Sequence, residues 1–298
     1  MYSTYNKKVS GGVIMNETIR LNTGISIPRI GFGTWEITPD SAAKAAVASA
    51  LEAGYRLIDT AQMYGNERGV GEAIRESGIP REEIFVTTKL WNADQGHQSA
   101  LEAFDASLER LGLDYVDLYL IHWPADFRSG DAETNRQRRR QTWKAFEELA
   151  KKKRVHNIGV SNFVVHHLEE LLQHANVMPA VNQVELHPFI FEEQRPIVEF
   201  CQQHDILVEA YSPLSHGGRV NDPVVQAIAE EQDKTSAQVL LRWSIQHGAV
   251  PLPRSMNPDH IVENFQVFGF ELSADDMHKL NKLTDKASRV APDPHKMK

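Results

Sequence analysis

The feature that most constrains this 298-residue chain is a regular alternation of short apolar runs with amphipathic, helix-like stretches. The apolar runs have the length of β-strands, and each is followed by a helix-like segment. They lie at residues 30–35, 57–59, 84–88, 116–121, 157–162, 180–186, 207–212 and 250–254. Strands that alternate with helices at this spacing indicate a parallel sheet covered by helices. Eight such units predict the fold class α/β and, within it, a closed (β/α)8 TIM barrel.

Two regions add to the eight units. Residues 19–27 alternate around the turn Asn22-Thr23-Gly24, which predicts an N-terminal β-hairpin. Near the C-terminus, helix-like stretches at 224–231, 236–247, 259–267 and 273–283 exceed what two units need, so we expect extra helices there. After the fourth strand, residues 125–138 are polar and are expected to form a long loop before the next helix.

Composition and charge narrow the class of protein. A net charge of -8 argues against a nucleic-acid partner, which would favour a basic surface. The single cysteine, Cys201, excludes an internal disulfide framework and fits a reducing, cytoplasmic location. No apolar run approaches the roughly 18 residues of a membrane span. We expect residues 1–15 to be a disordered extension without a secretory signal and residues 16–298 to be one domain.

Polar residues end three neighbouring runs. Asp59 ends the second run, Lys89 follows the third and His122 follows the fourth; Tyr64 lies shortly after Asp59. The C-terminal ends of barrel strands face the active-site mouth, so we expect these side chains to meet there. A phenol has an unperturbed pKa near 10, and a nearby ammonium lowers that pKa. The set predicts a proton-transfer site in which Asp59 holds Lys89 and His122 orients a substrate oxygen.

Each of these residues also has a structural interpretation. Asp59 and Lys89 could form only a structural ion pair, Tyr64 could pack at the edge of the core, and His122 could be a hydrogen-bonded core residue. The four types at successive strand ends favour the catalytic interpretation.

Several longer motifs point to one family. They are Asp59-Thr60-Ala61-x-x-Tyr64-Gly65-Asn66-Glu67, Thr88-Lys89-Leu90-Trp91, Asp117-Leu118-Tyr119-Leu120-Ile121-His122-Trp123-Pro124, Ile158-Gly159-Val160-Ser161-Asn162-Phe163, Asn182-Gln183-x-Glu185-x-His187-Pro188, Tyr211-Ser212-Pro213-Leu214 and Glu263-Asn264-Phe265. In this order, across roughly residues 17–285, they resemble the aldo-keto reductases, of the compact prokaryotic or plant-like type. The resemblance implies a catalytic tetrad of Asp59, Tyr64, Lys89 and His122, with Tyr64 as general acid. The implied reaction is hydride transfer from a nicotinamide to a small aldehyde, ketone or dicarbonyl, by a protein that is a monomer.

The resemblance also implies where a dinucleotide binds, although the chain has no Rossmann fingerprint: Gly31-x-Gly33 carries Glu36 at the position of the third glycine. Ser161, Asn162 and Gln183 would bind the carboxamide, and Tyr211 would stack on the nicotinamide. Ser212 and Leu214 would line the pyrophosphate passage. Taken singly, these residues could serve as strand-end caps, an interior polar group and packing.

The segment 254–264 resembles the 2′-phosphate and adenine site of the family. The residues implied are Arg254, Ser255, His260, Glu263 and Asn264. Arg254 can make a planar, charge-assisted phosphate contact, whereas an imidazole at His260 is mostly neutral at pH 7 and weakens the clamp. We therefore expect NADPH as the favoured cofactor, with NADH also usable.

The implied substrate pocket has three tryptophans at strand ends, Trp35, Trp91 and Trp123; each alone could be core packing. Because the chain ends soon after its last helix, we expect an open pocket.

Two rival functions stay open. One is a cofactor-binding regulatory subunit without turnover. The other is a metal-dependent barrel hydrolase, which would need a set of metal ligands at strand ends that the sequence does not offer.

Overall fold

The computed structural model describes residues 6–9, 12–15, 17–126, 131–284 and 289–297. Its centre is a sheet of eight parallel strands in chain order. These are β5 (Phe32–Gly33), β6 (Leu57–Asp59), β7 (Phe85–Leu90), β8 (Val116–Ile121), β9 (Val155–Ser161), β10 (Val181–Glu185), β11 (Leu207–Tyr211) and β12 (Val250–Leu252).

The sheet closes on itself between its first and last strands. The backbone N–H groups of Gly31 and Gly33 donate to the carbonyl oxygens of Pro251 and Pro253, each at 3.0 Å. Glycine is required at this seam, because a Cβ on Gly31 would lie 2.6 Å from side-chain carbons of Leu252 and Leu57. The predicted (β/α)8 TIM barrel is confirmed.

Ten described helices surround the barrel. They are α1 (Asp40–Ala53), α2 (Glu67–Glu76), α3 (His97–Leu111), α4 (Ala132–Lys151), α5 (Val165–Leu172), α6 (Phe191–Gln203), α7 (Pro223–Gln232), α8 (Ser236–Gln246), α9 (Pro258–Phe265) and α10 (Ala274–Asn281). Two helices, α7 and α8, follow β11, and α10 follows α9 after β12, as the sequence predicted. None of the helices in the described part of the chain is both long and apolar enough to cross a bilayer.

The fourth helix begins earlier than the polar composition suggested. The expected loop over 125–138 is wrong in its second half, because α4 already starts at Ala132. The side chain of Asp131 explains this start: it accepts hydrogen bonds from the backbone N–H groups of Glu133 and Thr134 and so caps the helix. Residues 127–130 of the expected loop lie outside the described residues.

The lower end of the barrel is closed by the hairpin of β3 (Thr18–Arg20) and β4 (Ser26–Pro28), which pair antiparallel as predicted. Leu21 and Ile27 of this hairpin are buried in a cluster with barrel residues including Leu57 and Leu118. The hairpin therefore leaves the C-terminal ends of the strands as the open face. This is the face on which the predicted site residues lie.

The N-terminal extension contains a short strand pair. Within residues 1–15, the strands β1 (Asn6–Val9) and β2 (Gly12–Met15) pair antiparallel, and the expected disorder of this extension stays a prediction. Residues 1–5, 10 and 11 lie outside the described residues. The boundary between this extension and a single domain over 16–298 stays a prediction.

Candidate active site

Tyr64 is positioned by a short turn that leaves β6. One turn of 3-10 helix, Gln62–Tyr64, follows the strand, and Gly65 closes it in the left-handed region (φ 67°), which glycine adopts without strain. The buried amide of Asn66 donates a 2.8 Å hydrogen bond to the backbone oxygen of Thr34. The Tyr-Gly-Asn motif therefore ties the phenol to the loop after β5.

The ammonium group of Lys89 joins the predicted tetrad. Lys89 is fully buried on β7. Its Nζ donates to Asp59 Oδ1 at 2.7 Å, to the backbone oxygen of Thr60 at 2.9 Å and to the Tyr64 hydroxyl at 3.1 Å. An ammonium has three hydrogens, and these contacts use all three. The Tyr64 oxygen accepts from Lys89, which leaves its own hydrogen to point into the cavity.

Burial and the neighbouring opposite charge shift the pKa values of Tyr64 and Lys89 in opposite directions. Burial, and to a smaller extent the negative charge of Asp59, raise the pKa of Tyr64 more than the neighbouring Lys89 lowers it, so that the net pKa lies above 10.0. The sequence predicts the effect of the ammonium on this pKa, but burial, which the sequence does not reveal, has the larger effect. Burial lowers the pKa of Lys89, but Asp59 and Tyr64 outweigh this effect and raise it overall. Lys89 therefore stays charged and Tyr64 stays protonated at neutral pH.

His122 follows β8 and is only 7% exposed. Its ring lies edge-on to Tyr64 and to Trp91, with centroid separations of 5.6 Å and 5.4 Å. Burial, and then the positive charge of Lys89, hold the pKa of His122 well below its usual value. The imidazole is therefore neutral. In this form one of its ring nitrogens carries a hydrogen and can donate a hydrogen bond to a carbonyl oxygen.

A cavity of about 760 Å³ opens above these residues at the C-terminal ends of the strands. Every predicted site residue except Lys89, which lies behind Tyr64, contributes to its lining. These lining residues are Asp59, Tyr64, His122, Ser161, Asn162, Gln183, Tyr211, Ser212, Leu214, Arg254, Ser255, His260, Glu263, Asn264, Trp35, Trp91 and Trp123. The structure thus brings every predicted site residue but Lys89 to one cavity, and Lys89 is hydrogen-bonded to Tyr64. The role of each residue stays a prediction.

Beside the tetrad, amide groups offer partners for a carboxamide. Both amide hydrogens of Gln183 point to carboxylates, at 2.8 Å from Asp59 Oδ2 and 2.8 Å from Glu209 Oε2. Its carbonyl oxygen is thus the atom that it can offer to an N–H₂ group. Asn162 Oδ1 accepts a 2.7 Å bond from the Tyr211 hydroxyl, which fixes that ring at the cavity wall. These groups fit the amide end of a nicotinamide.

The loops at this end of the cavity hold unusual backbone conformations. Asn162, Ser212 and His216 line the cavity with φ of 63°, 48° and 52°, in the left-handed region. This conformation costs a non-glycine residue roughly 1–3 kcal/mol, and residues held in it cluster at active sites and ligand clamps.

At the far end, the cavity reaches the start of α9. The guanidinium of Arg254 lies 3.5 Å from Glu36 Oε2, and both side chains are partly exposed. His260 is exposed in the first turn of the helix, whose N-cap is Asn257. Glu263 accepts a 2.7 Å hydrogen bond from the Thr235 hydroxyl. The Arg254 cation and the helix N-terminus suit a phosphate. The Glu36 carboxylate would compete with that phosphate for the Arg254 guanidinium.

Sequence reasoning missed two parts of the lining. One is the start of α8, where Thr235, Ser236 and Ala237 line the cavity. Its signal was present in the sequence, since Thr235 and Gln238 form a capping box. The helix therefore presents its N-terminus to the same space as Arg254.

The second missed part is the C-terminal segment. Val290, Ala291 and Pro292 line the cavity, and the backbone N–H groups of Val290 and Ala291 donate to the buried carboxylate of Glu185 at 2.9 Å and 3.0 Å. These three residues therefore form part of the cavity wall. The expectation of an open pocket stays a prediction. A backbone clamp of this kind leaves no pattern in the sequence.

A metal-hydrolase site would need ligands at the strand ends. Within the described residues, the one group of side chains with metal-ligand spacing is Glu193, Asp293 and His295, in α6 and the C-terminal segment. Glu193 already pairs with Arg289 at 2.9 Å. This group does not join the cavity at the tetrad.

Comparisons with known proteins agree with the geometry. The model of the Aldo/keto reductase family matches residues 29–285. The chain belongs to the aldo/keto reductase family. A glyoxal reductase of Bacillus subtilis (strain 168) is 46% identical over 283 residues, which cover 95% of this chain and 98% of that protein. A 9,11-endoperoxide prostaglandin H2 reductase of Trypanosoma cruzi (strain CL Brener) is 47% identical over 279 residues, covering 93% and 94%.

Solved structures match this aldo-keto reductase over most of its length. A crystal structure of a Gox0644 mutant in complex with NADPH superposes with a TM-score of 0.86 and 41% identity, covering 95% of this chain and 99% of that one. A Bombyx mori aldo-keto reductase in complex with NADP superposes with a TM-score of 0.83 and 36% identity, covering 90% and 92%. The family and its named reductases identify the chain as an oxidoreductase.

Proposed function

We propose that this chain is an NADPH-preferring reductase of small aldehydes, and of some ketones and dicarbonyls, with Tyr64 as its general acid. One observation carries the proposal: the Lys89 ammonium bridges Asp59 and the Tyr64 hydroxyl beneath a cavity large enough for a dinucleotide and a small substrate. The family relationship and the NADPH or NADP bound in similar structures support it further.

When bound, a nicotinamide cofactor would supply a hydride, which is two electrons and a proton, to the carbonyl carbon. The Tyr64 hydroxyl donates its proton to the carbonyl oxygen, so that an alcohol forms and a phenolate remains until it is protonated again. The Lys89 ammonium, 3.1 Å away, stabilises that phenolate. Asp59 keeps Lys89 charged and directed at the phenol.

Neutral His122 holds the carbonyl oxygen beside Tyr64, and Trp35, Trp91 and Trp123 give the pocket an apolar wall. The ring of Trp35 lies 4.9 Å from that of Tyr64, centroid to centroid. An apolar wall excludes water, which strengthens the electrostatic contribution of Lys89.

The cofactor would lie along the cavity from Gln183 to α9. Gln183, Asn162 and Ser161 would hold the carboxamide, and Tyr211 would face the ring. Ser212 and Leu214 would flank the pyrophosphate; Arg254, Ser255, His260, Glu263 and Asn264 would surround the adenosine end. A 2′-phosphate would make a charge-assisted contact with the Arg254 guanidinium, and this contact is the basis for the proposed preference for NADPH. A monomeric state and a cytoplasmic location are further parts of this proposal.

Replacing Tyr64 by Phe tests the mechanism. We expect turnover of NADPH with an activated aromatic aldehyde to fall by roughly 10²–10⁴-fold, because general acid catalysis is lost. NADPH binding, followed by quenching of tryptophan fluorescence, should persist, since the hydroxyl is not among the proposed cofactor contacts.

Tyr55→Phe is the matched control. Tyr55 is buried, whereas Tyr64 is partly buried; the Tyr55 hydroxyl has no hydrogen-bond partner among the described residues, so its removal should leave turnover near that of the unmodified protein. If Tyr64→Phe and Tyr55→Phe kept the same activity, Tyr64 would not be the acid. If the unmodified protein bound NADPH but reduced no carbonyl, the chain would be a cofactor-binding regulatory subunit.

A further inference from the structure

A second carboxylate lies inside the barrel beneath the tetrad. Glu209 is on β11, paired in register with Gln183 on β10 and with Val250 on β12. It is fully buried. A carboxylate in such a position is costly unless it is paired or loses its charge. Nothing in the proposed mechanism requires it.

Glu209 is linked to the tetrad through one amide. Gln183 Nε2 donates 2.8 Å hydrogen bonds to Glu209 Oε2 and to Asp59 Oδ2, and Asp59 in turn pairs with Lys89 at 2.7 Å. The two carboxyl groups therefore share one nitrogen. Among the described residues, the other Glu209 oxygen, Oε1, has no hydrogen-bond partner.

These contacts determine the charge of Glu209. Burial, and then the negative charge of Asp59, raise the pKa of Glu209 to about 8, while the Gln183 amide and Lys89 lower it by less. Asp59 and Lys89 are the charged groups that act on it from β6 and β7; Gln183 and Val250, on the two adjacent strands, are uncharged. Glu209 is thus mostly a neutral acid at pH 7.

We propose that Glu209 is a positioning residue for the reaction: it acts on Asp59 and Lys89 through Gln183, and its ionisation at alkaline pH keeps Tyr64 protonated. The inference rests on the proposed function of Tyr64. When Glu209 is protonated, the charges of Asp59 and Lys89 cancel. When it ionises, the network gains a negative charge, which disfavours the phenolate and raises the pKa of Tyr64. Carbonyl reduction needs the phenol, and alcohol oxidation needs the phenolate.

Glu209→Gln separates charge from shape, because glutamine has the same size and cannot ionise. We would measure kcat and kcat/KM for NADPH-dependent reduction, and for oxidation of the corresponding alcohol, from about pH 6 to about pH 11, so that the range includes the titration of Tyr64. In the variant, the alkaline loss of reduction should move to lower pH by about one unit, and oxidation should begin at a correspondingly lower pH. The ratio of variant to unmodified reduction rates should thus fall as the pH rises.

A purely structural role would give a different result. Profiles that differ only by a constant factor at every pH would overturn the proposal, as would a shift towards higher pH. Tyr64→Phe is measured in parallel: if it retains the activity of the unmodified protein, the proposed function fails rather than the role of Glu209.

If the glutamine variant does not fold, the unmodified protein still provides a test. Its infrared spectrum should contain the carbonyl stretch of a protonated carboxylic acid at neutral pH, and this band should fade towards about pH 9. Its absence at neutral pH would overturn the proposal, whether or not the protein turns over a substrate.

Discussion

The guanidinium of Arg254 is the residue-scale feature on which the proposed preference for NADPH depends. It lies 3.5 Å from the carboxylate of Glu36, and both side chains are partly exposed, so the pair contributes little stability and is easily displaced. His260, in the first turn of α9, faces the same cavity. A phosphate bound here would meet one strong charge rather than two.

His260→Arg should therefore increase the preference for NADPH. A second guanidinium adds a charge-assisted contact to the 2′-phosphate that NADH lacks, and we expect the ratio of kcat/KM for NADPH to that for NADH to rise about tenfold. His278→Arg, on the exposed face of α10, adds the same charge away from the cavity and should leave the ratio unchanged. Equal ratios in the two variants would exclude a role of position 260 in phosphate binding.

The predictability of single residues depended on their neighbours in the chain. Asp59, Lys89 and His122 could be assigned to one site because each ends an apolar run, and in a barrel all strand ends meet on one face. Glu209 was missed because it lies inside a run, between Val208 and Ala210, where sequence alone does not tell an inward residue from an outward one. The net pKa of Tyr64 was missed because burial is a tertiary property.

At the scale of elements, helix packing depends on close backbone approaches. Gly71 on α2 faces the end of α3, and a Cβ at this position would overlap the backbone oxygen of Leu111. A backbone atom cannot rotate away as a side chain can. The distance between α2 and α3 is therefore set by the absence of a side chain at Gly71. The same helix, α2, begins shortly after Tyr64 and Gly65 in the chain.

Gly71→Ala should destabilise the protein by about 3 kcal/mol, because the extra methyl group forces α2 away from α3. Equilibrium unfolding in urea measures the change. Gly269→Ala is the matched control, since a Cβ there meets no atom within 4 Å and its φ is not left-handed. Similar stability of both variants would show that α2 can shift without cost.

Elements were predicted better than their ends. The eight strands and their helices follow from periodicity, but β5 contains only Phe32–Gly33 of the run expected at 30–35. Beyond it the chain turns outward, and Glu36 adopts a φ of 60°. Apolar composition does not reveal where a strand leaves the sheet, because Trp35 is apolar and yet lies at the cavity, 36% exposed.

At the scale of the whole molecule, the barrel interior has two different ends. The lower end, which the hairpin of β3 and β4 closes, is filled by apolar side chains such as Leu57, Leu118 and Val181. The upper end contains the polar network of Asp59, Lys89 and Gln183. A neutral Glu209 lets that network fit inside a closed barrel, and it links the stability of the whole fold to pH.

The direction of this link follows from the raised pKa. The pKa of Glu209 is near the usual glutamate value of 4.5 in the unfolded chain and about 8 in the folded one. Between these values the unfolded chain has lost the proton and the folded chain has kept it, so the free energy of unfolding falls as the pH rises, by about 1.4 kcal/mol per unit. This contribution is complete below the unfolded pKa and is lost as the pH passes the folded pKa.

Glu209→Gln removes this dependence and preserves the other titrating groups. The free energy of unfolding in urea should therefore rise in the variant relative to the unmodified protein as the pH increases from about 5 to about 8, and the difference should level off above that range. Subtracting the two proteins at each pH cancels contributions that they share. A difference that does not vary with pH would mean that Glu209 is ionised in the folded barrel already near neutrality, held by the Gln183 amide and Lys89 against the repulsion of Asp59.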